Sequence, residues 1–167
     1  MLLYQDILTE DEMFSDAYDP KEVDDVVYEV NCKMISLGGD KFDIGANPSA
    51  EEGGEEDLDD GAKLVNDVVD SFRLQPTSFD KKTYLLYLKG YMKAVKAKLQ
   101  ETNPGRVEAF EKGAQAYAKK IIANFNDYEF FTGASMNDGM VVLLNFREDN
   151  ITRYLTFWKD GLKEIKL

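Results

Sequence analysis

Hydrophobic side chains follow two periods along this chain, and the helical one is the clearer. Leu88, Met92, Val95 and Leu99 recur at i, i+4, i+7 and i+11, an apolar stripe that Tyr84 and Tyr91 widen. Thr77 or Ser78 can cap this helix, and Asp80 falls in its first turn near the positive end of the dipole. A second stripe follows Thr102-Asn103-Pro104-Gly105: Val107, Phe110, Ala114, Tyr117 and Ile121, with Ile122 and Phe125 added near its end. Asn103 before Pro104 predicts a helix start, because asparagine caps and proline at the first helical position gives up only an orphan N–H. Each helix runs about 20 residues, ~30 Å. The short connection predicts an antiparallel hairpin over residues 77–125.

Elsewhere the period is nearer two. Leu2-Leu3-Tyr4 reads as a short strand. Val26 to Leu37 alternates, with Val26, Tyr28, Val30, Cys32 and Met34 on an apolar face and Val27, Glu29, Asn31 and Lys33 on the other, which predicts one half-buried strand. Cys32 falls on the apolar face, as a core thiol would. Val65 to Leu74 reads as a strand before Pro76. After the hairpin, Tyr128 to Phe131, Met140 to Phe146, Tyr154 to Trp158 and Leu162 to Leu167 predict four strands with short turns, an antiparallel meander over 126–167. Strands on both sides of a segregated helical hairpin make the class α+β, one domain over 1–167 with residues 1–76 β-rich.

Two polar stretches interrupt this pattern. Asp6 to Asp25 holds nine acids against Lys21 alone, and reads either as a solvated loop turning at Asp19-Pro20 or as a carboxylate surface for a basic partner. Glu51 to Asp60 holds seven acids, no base and one apolar side chain, so a mobile acidic loop over about 46–62 is expected. Clustered carboxylates suit Ca²⁺. Aligning Gly61 with the invariant glycine of a calcium-binding helix–loop–helix places Leu58 at the third ligand position, so any Ca²⁺ binding should be weak and diffuse.

Charge changes the picture most on the first helix. The chain is net −12, yet Ser78 to Glu101 carries six lysines against Asp80 and Glu101, a net +4. Lys82, Lys89, Lys93 and Lys96 share one side of that helix. They read either as a solvated outer face or as a docking surface for an acidic partner such as a tubulin tail. Direct nucleic-acid binding is not expected, since the overall charge repels phosphate and no aromatic-basic RNA motif is present.

Candidate chemistry is sparse. There is no histidine and one cysteine, which removes His-based triads, Cys-His pairs and Cys/His zinc sites. No phosphate-cradling glycine motif occurs. Gly133-Ala134-Ser135-Met136-Asn137 starts like a nucleophile elbow but lacks its second glycine. Acid pairs are plentiful and none stands out, so the expectation is a protein without enzymatic activity or cofactor. No apolar run is long enough for a transmembrane helix, and the first residues lack the pattern of a signal peptide. A cytoplasmic monomer is the expectation.

Ile44-Gly45-Ala46-Asn47-Pro48-Ser49-Ala50-Glu51 resembles the first signature of the translationally controlled tumour protein family. Asp11 to Asp16, Tyr91 to Leu99, Asn124 to Phe131 and Phe157 to Leu162 resemble further stretches of it, and the likeness covers the whole chain. The resemblance implies a β-tent of mainly antiparallel strands with a projecting helical hairpin, a fold similar to that of a small zinc-binding partner of Rab GTPases. It also implies links to translation, the ribosome, elongation factors, growth, stress, calcium and microtubules, and contact with a small GTPase. By resemblance Glu12 lies on the GTPase-facing surface, and the basic helix matches the segment associated with tubulin and calcium. Three departures from the family pattern lie near β-tent turns: Ala134 where glutamate is usual, a turn at Met136 to Gly139 that lacks a proline and is one residue shorter, and Arg153 where proline is common.

Overall fold

The computed structural model describes residues 2–37, 63–136 and 139–166. Eleven strands among these residues form two sheets and a ribbon. A three-stranded sheet has the order β11-β1-β2, built from β1 (Leu2–Asp6), β2 (Glu12–Ser15) and β11 (Leu162–Lys166). A six-stranded sheet has the order β3-β4-β10-β9-β8-β7. Its strands are β3 (Lys21–Val23), β4 (Val27–Cys32), β7 (Gln75–Thr77), β8 (Glu129–Thr132), β9 (Val142–Phe146) and β10 (Arg153–Trp158). β5 (Met34–Leu37) and β6 (Lys63–Asn66) pair as an antiparallel ribbon. All described pairings are antiparallel, and with the helical hairpin they form the β-tent.

The acidic stretch Asp6 to Asp25 is not a solvated loop. It folds into β2, a 3-10 turn at Asp16–Tyr18 and β3. Met13 and Phe14 supply the reason, since both are fully buried. Phe14 stacks on Tyr4 at 4.5 Å and meets Phe157 at 4.4 Å, tying the small sheet to the large one. Two apolar residues thus decide the structure of a segment whose composition is mostly acid.

Val26 to Leu37 is two strands. Lys33 separates β4 from β5, which enter different sheets. β4 is also covered on both faces. Tyr28 packs toward Tyr4 and Phe14, while Val27 and Glu29 on the other face are buried as well. The Glu29 carboxylate is held there by Arg147, which lies over the Tyr154 ring. Val65 to Leu74 is likewise not one strand. After β6 the chain turns into α1 (Asp67–Phe72), capped by Asn66, whose side chain accepts from the Val68 and Val69 N–H groups. Val65, Val68, Val69 and Phe72 fit a helical period as well as a strand, and the asparagine cap decides between them.

The helices are α2 (Lys81–Thr102) and α3 (Val107–Ala123). Neither Thr77 nor Ser78 caps α2. Asp80 does, accepting from the Thr83 N–H at 2.8 Å while Thr83 Oγ1 accepts from the Asp80 N–H, a reciprocal capping box. Asn103 does not cap α3 with its side chain, because Pro104–Arg106 forms a 3-10 turn first. The buried stripe of α2 is Tyr84, Leu88, Tyr91, Val95 and Leu99, with Met92 half-buried at its margin; α3 buries Phe110, Ala114, Tyr117 and Ile121 as the spacing predicts.

β8, β9 and β10 form the expected meander, but β11 leaves it. The 3-10 turn Lys159–Gly161 carries the chain across to pair with β1. Gly161 makes that crossing possible, since a Cβ there would lie 1.9 Å from the Tyr91 hydroxyl. That hydroxyl is itself buried without a hydrogen-bond partner among the described residues. Gly161→Ala should therefore destabilise the fold by ~1–3 kcal/mol through overpacking. Tyr91→Phe alone should be neutral or stabilising, and combined with Gly161→Ala should recover part of the loss. Urea melts of the two single variants and the double variant measure both effects.

Candidate functional site

Two surfaces carry the residues singled out by sequence. The first is the outer side of α2. Lys82, Lys89 and Lys93 are exposed along it, and among the described residues no ion pair engages them. Lys96 differs: it is half-exposed and bonds Glu111 of α3 at 2.9 Å, so its charge is partly satisfied within the hairpin. The surface also holds what charge counting misses. Leu85 and Leu86 are 45 % and 64 % exposed between Lys82 and Lys89, and a Cβ at Gly90 would meet nothing within 4 Å. The signal was present in the sequence, since 82, 86, 89 and 93 follow one helical row.

Rigid anchoring keeps this face outward. The Tyr87 hydroxyl donates to the Gly139 carbonyl at 2.6 Å and accepts from the Val141 N–H at 2.9 Å, pinning α2 to the chain entering β9. Tyr84 meets Phe130 at 5.3 Å and Phe125 at 5.8 Å. At the other end of the hairpin, Arg106 donates to the Asp160 carboxylate at 2.9 and 2.6 Å and to Asp25 at 2.6 Å. Lys159 joins this network through Asp25 at 2.8 Å and Glu22 at 3.1 Å. Hydrogen bonds from Lys159 and then Arg106 hold the Asp25 carboxyl well down, to about 2. The Asp160 hydrogen bond raises the Arg106 guanidinium above its ordinary value. Desolvation pulls the Lys159 ammonium down, but Asp25 and Glu22 outweigh it and leave it raised.

The second surface is the rim around Glu12. Glu12 opens β2 opposite Gln5, at a register shift in the pairing with β1, and its side chain is exposed. Two neighbouring acids build the rim. Asp6 is buried and accepts from the Leu8 and Met140 N–H groups at 2.8 and 2.7 Å. Asp11 accepts from the Ser135 hydroxyl at 2.6 Å and the Thr9 hydroxyl at 3.0 Å. These bonds join the turn after β1 to the turn after β8, where a Cβ on Gly133 would lie 2.4 Å from Asp11 Oδ2. On this rim Asp6 and Asp11 are structural acids, while Glu12 beside them is offered to solvent.

Comparison with known proteins agrees with this architecture. The family profile described as "Translationally controlled tumour protein" matches residues 1–163. The chain belongs to the translationally controlled tumour protein family. It is 62 % identical over 168 residues to the homologue from Saccharomyces cerevisiae, covering 100 % of both chains. The Schizosaccharomyces pombe homologue is 61 % identical over 97 % of each chain. Among solved structures, the translationally controlled tumour-associated protein p23fyp of Schizosaccharomyces pombe matches with a TM-score of 0.83 at 59 % identity, covering 100 % of both chains. The Caenorhabditis elegans member matches with a TM-score of 0.72 at 31 % identity over 100 % of this chain and 99 % of that one.

The family signature Ile44 to Glu51 and the acidic stretch Glu51 to Asp60 lie outside the described residues. So do Asn137 and Asp138 of the shortened turn. Ala134 is exposed beside Ser135 on the Glu12 rim. Arg153 opens β10 and places its guanidinium 4.9 Å over the Phe146 ring, a contact that proline would lack. Cys32 is buried, desolvation pushes its thiol up to about 11, and Asn66 donates to its sulfur at 3.0 Å, so it is the core thiol expected. Among the described residues no group of three or more acidic or cysteine side chains could hold a metal ion, and no helix is long and apolar enough to cross a membrane.

Arg106 and Asp160 were not visible as functional or structural residues in the sequence. Asp160 retains 6 % side-chain exposure and Arg106 19 %, so Arg106→Ala leaves a buried carboxylate unpaired. The expected loss is ~2–3 kcal/mol, below that of a fully buried pair. Asp25 is 58 % exposed, and Asp25→Asn should cost under ~1 kcal/mol. The folded Asp25 pKa lies below the unfolded value, so its contribution is complete above about pH 4 and fades as pH falls toward 2. Asp25→Asn should flatten stability against pH in that window, as thermal melts across it will measure.

Proposed function

We propose that the chain is a non-catalytic regulatory binding protein whose principal docking surface is the outer face of α2. The observation that carries this reading is the exposed row Lys82, Lys89 and Lys93 around Leu85 and Leu86, on a helix anchored to the sheet and set in a chain of net −12. Ammonium groups beside apolar side chains suit an acidic segment with interspersed apolar residues, and the tubulin tails and lateral acidic surfaces of microtubules have that chemistry. Family membership supports roles in growth and translation. Glu12, exposed on a rim held in place by Asp6 and Asp11, is the residue for contact with a small GTPase or an elongation factor. The calcium-buffer or chaperone-like alternative rests on Glu51 to Asp60 and so on residues outside the described ones.

Reversing Lys82, Lys89 and Lys93 to glutamate tests the docking face. Surface pairs contribute ~0.2–1 kcal/mol each, so the triple variant should bind microtubules roughly tenfold or more weakly in co-sedimentation. Its melting temperature should stay at the wild-type value, since none of the three forms an ion pair among the described residues. Unchanged co-sedimentation would reject the α2 face as the docking surface.

A further inference from the structure

A cleft of ≈ 640 Å³ opens between the tip of the hairpin and the small sheet. Its floor includes Tyr4, Tyr28 and Leu99, and Lys98 and Lys163 stand at its rim. One wall is β11, the end strand of its sheet, with no strand beyond it among the described residues. The register shows where the β11 backbone groups point. Ile7 N–H donates to the Gly161 carbonyl at 2.9 Å, so the pairs two residues on, Gln5 with Lys163 and Leu3 with Ile165, are the hydrogen-bonded ones. Asp6 obeys the same alternation: it pairs with Leu162 in register and sends its own N–H and carbonyl the other way, to Asp11 and Glu10. Glu164 and Lys166 therefore turn their N–H and carbonyl groups away from β1, toward the open edge, as Leu162 turns its carbonyl, while the Leu162 N–H is taken by the Lys159 carbonyl.

We propose that this edge binds an extended acidic peptide as an added antiparallel strand. Backbone bonds to Glu164, Lys166 and the Leu162 carbonyl would supply the pairing, and alternate apolar side chains would enter the cleft above Tyr4 and Tyr28. Charge selects the guest. Arg106 and Lys159 are occupied by Asp25, Asp160 and Glu22, whereas Lys98 is exposed with no ion pair among the described residues. Among the described residues Lys163 is held by Glu10 alone, whose side chain is 72 % exposed, so a peptide carboxylate can take its place. Lysines on an edge strand ordinarily deter pairing. Here a second copy is disfavoured, because pairing β11 with itself about Glu164 sets that carboxylate against its twin. An acidic strand that sets its apolar residues opposite Glu164 avoids that repulsion and places its carboxylates on the face of Lys163. The site is separate from the lysine row on the outer face of α2.

The test is a titration of the ¹⁵N-labelled full chain with a blocked eight-residue peptide of alternating glutamate and valine. Shifts at the amides of Glu164 and Lys166, with at least ~tenfold slower hydrogen exchange there, support the added strand. Lys98→Glu should weaken binding about tenfold or more. The Lys82/Lys89/Lys93 to glutamate variant should bind the peptide as the wild type does, which separates this site from the α2 surface. The proposal is overturned if a peptide N-methylated at alternate residues binds equally well. It is also overturned if inorganic phosphate alone reproduces the cleft shifts, or if the shifts appear on the outer face of α2. Slowed exchange at β11 that rises with protein concentration in the absence of peptide would assign the edge to a second copy and overturn it too.

Discussion

Everything outward-facing on this protein depends on the desolvated joint between the helical hairpin and the six-stranded sheet. Tyr84, Phe125 and Phe130 form its aromatic centre, and Tyr117 meets Trp158 edge-on at 5.9 Å. Such pairs add ~0.5–1.5 kcal/mol each beyond area burial, so packing outweighs any single ion pair at the periphery. The polar contacts have another role. Tyr87 bridges two backbone groups beside β9, and Arg106 bridges Asp25 and Asp160. Hydrophobic burial is non-directional, whereas these bonds fix one orientation of the hairpin and hence the direction in which the α2 lysines point.

That fixed orientation separates charge. Two acids of the N-terminal segment, Asp6 and Asp11, are drawn into the sheet junction, where they accept backbone and hydroxyl hydrogen bonds, while Glu12 beside them stays exposed. Arg106 and Lys159 near the hairpin tip are engaged by Asp25, Asp160 and Glu22. The lysines of the outer α2 face remain. A chain with a strong negative excess thereby presents a basic row on α2, and electrostatic steering favours different partners at that row and at the Glu12 rim.

The hairpin was legible because its apolar period is long and unbroken, and the buried sets of α2 and α3 follow it almost residue for residue. Failures came where a few residues outvote composition. Met13 and Phe14 turn an acidic segment into a strand, and the Asn66 cap turns a valine-rich run into a helix. The departure of β11 from the meander depends on Gly161 fitting under Tyr91, a contact between distant segments that periodicity does not encode. At the site, the lysine row was visible while its division was not. Lys96 is drawn toward Glu111 only because α3 lies alongside, and Leu85 and Leu86 gain meaning only once that face is known to be outward.

The central claim is that two anchored surfaces of opposite charge recruit different partners. The most direct measurement is a quantitative pull-down from lysate comparing wild type, Glu12→Lys and the variant with the three α2 lysines reversed, read by mass spectrometry. The account predicts that the two variants lose separate sets of partners, with GTPases or elongation factors depleted by the first and tubulin by the second. Loss of one shared set in both variants, with melting temperatures unchanged, would contradict it.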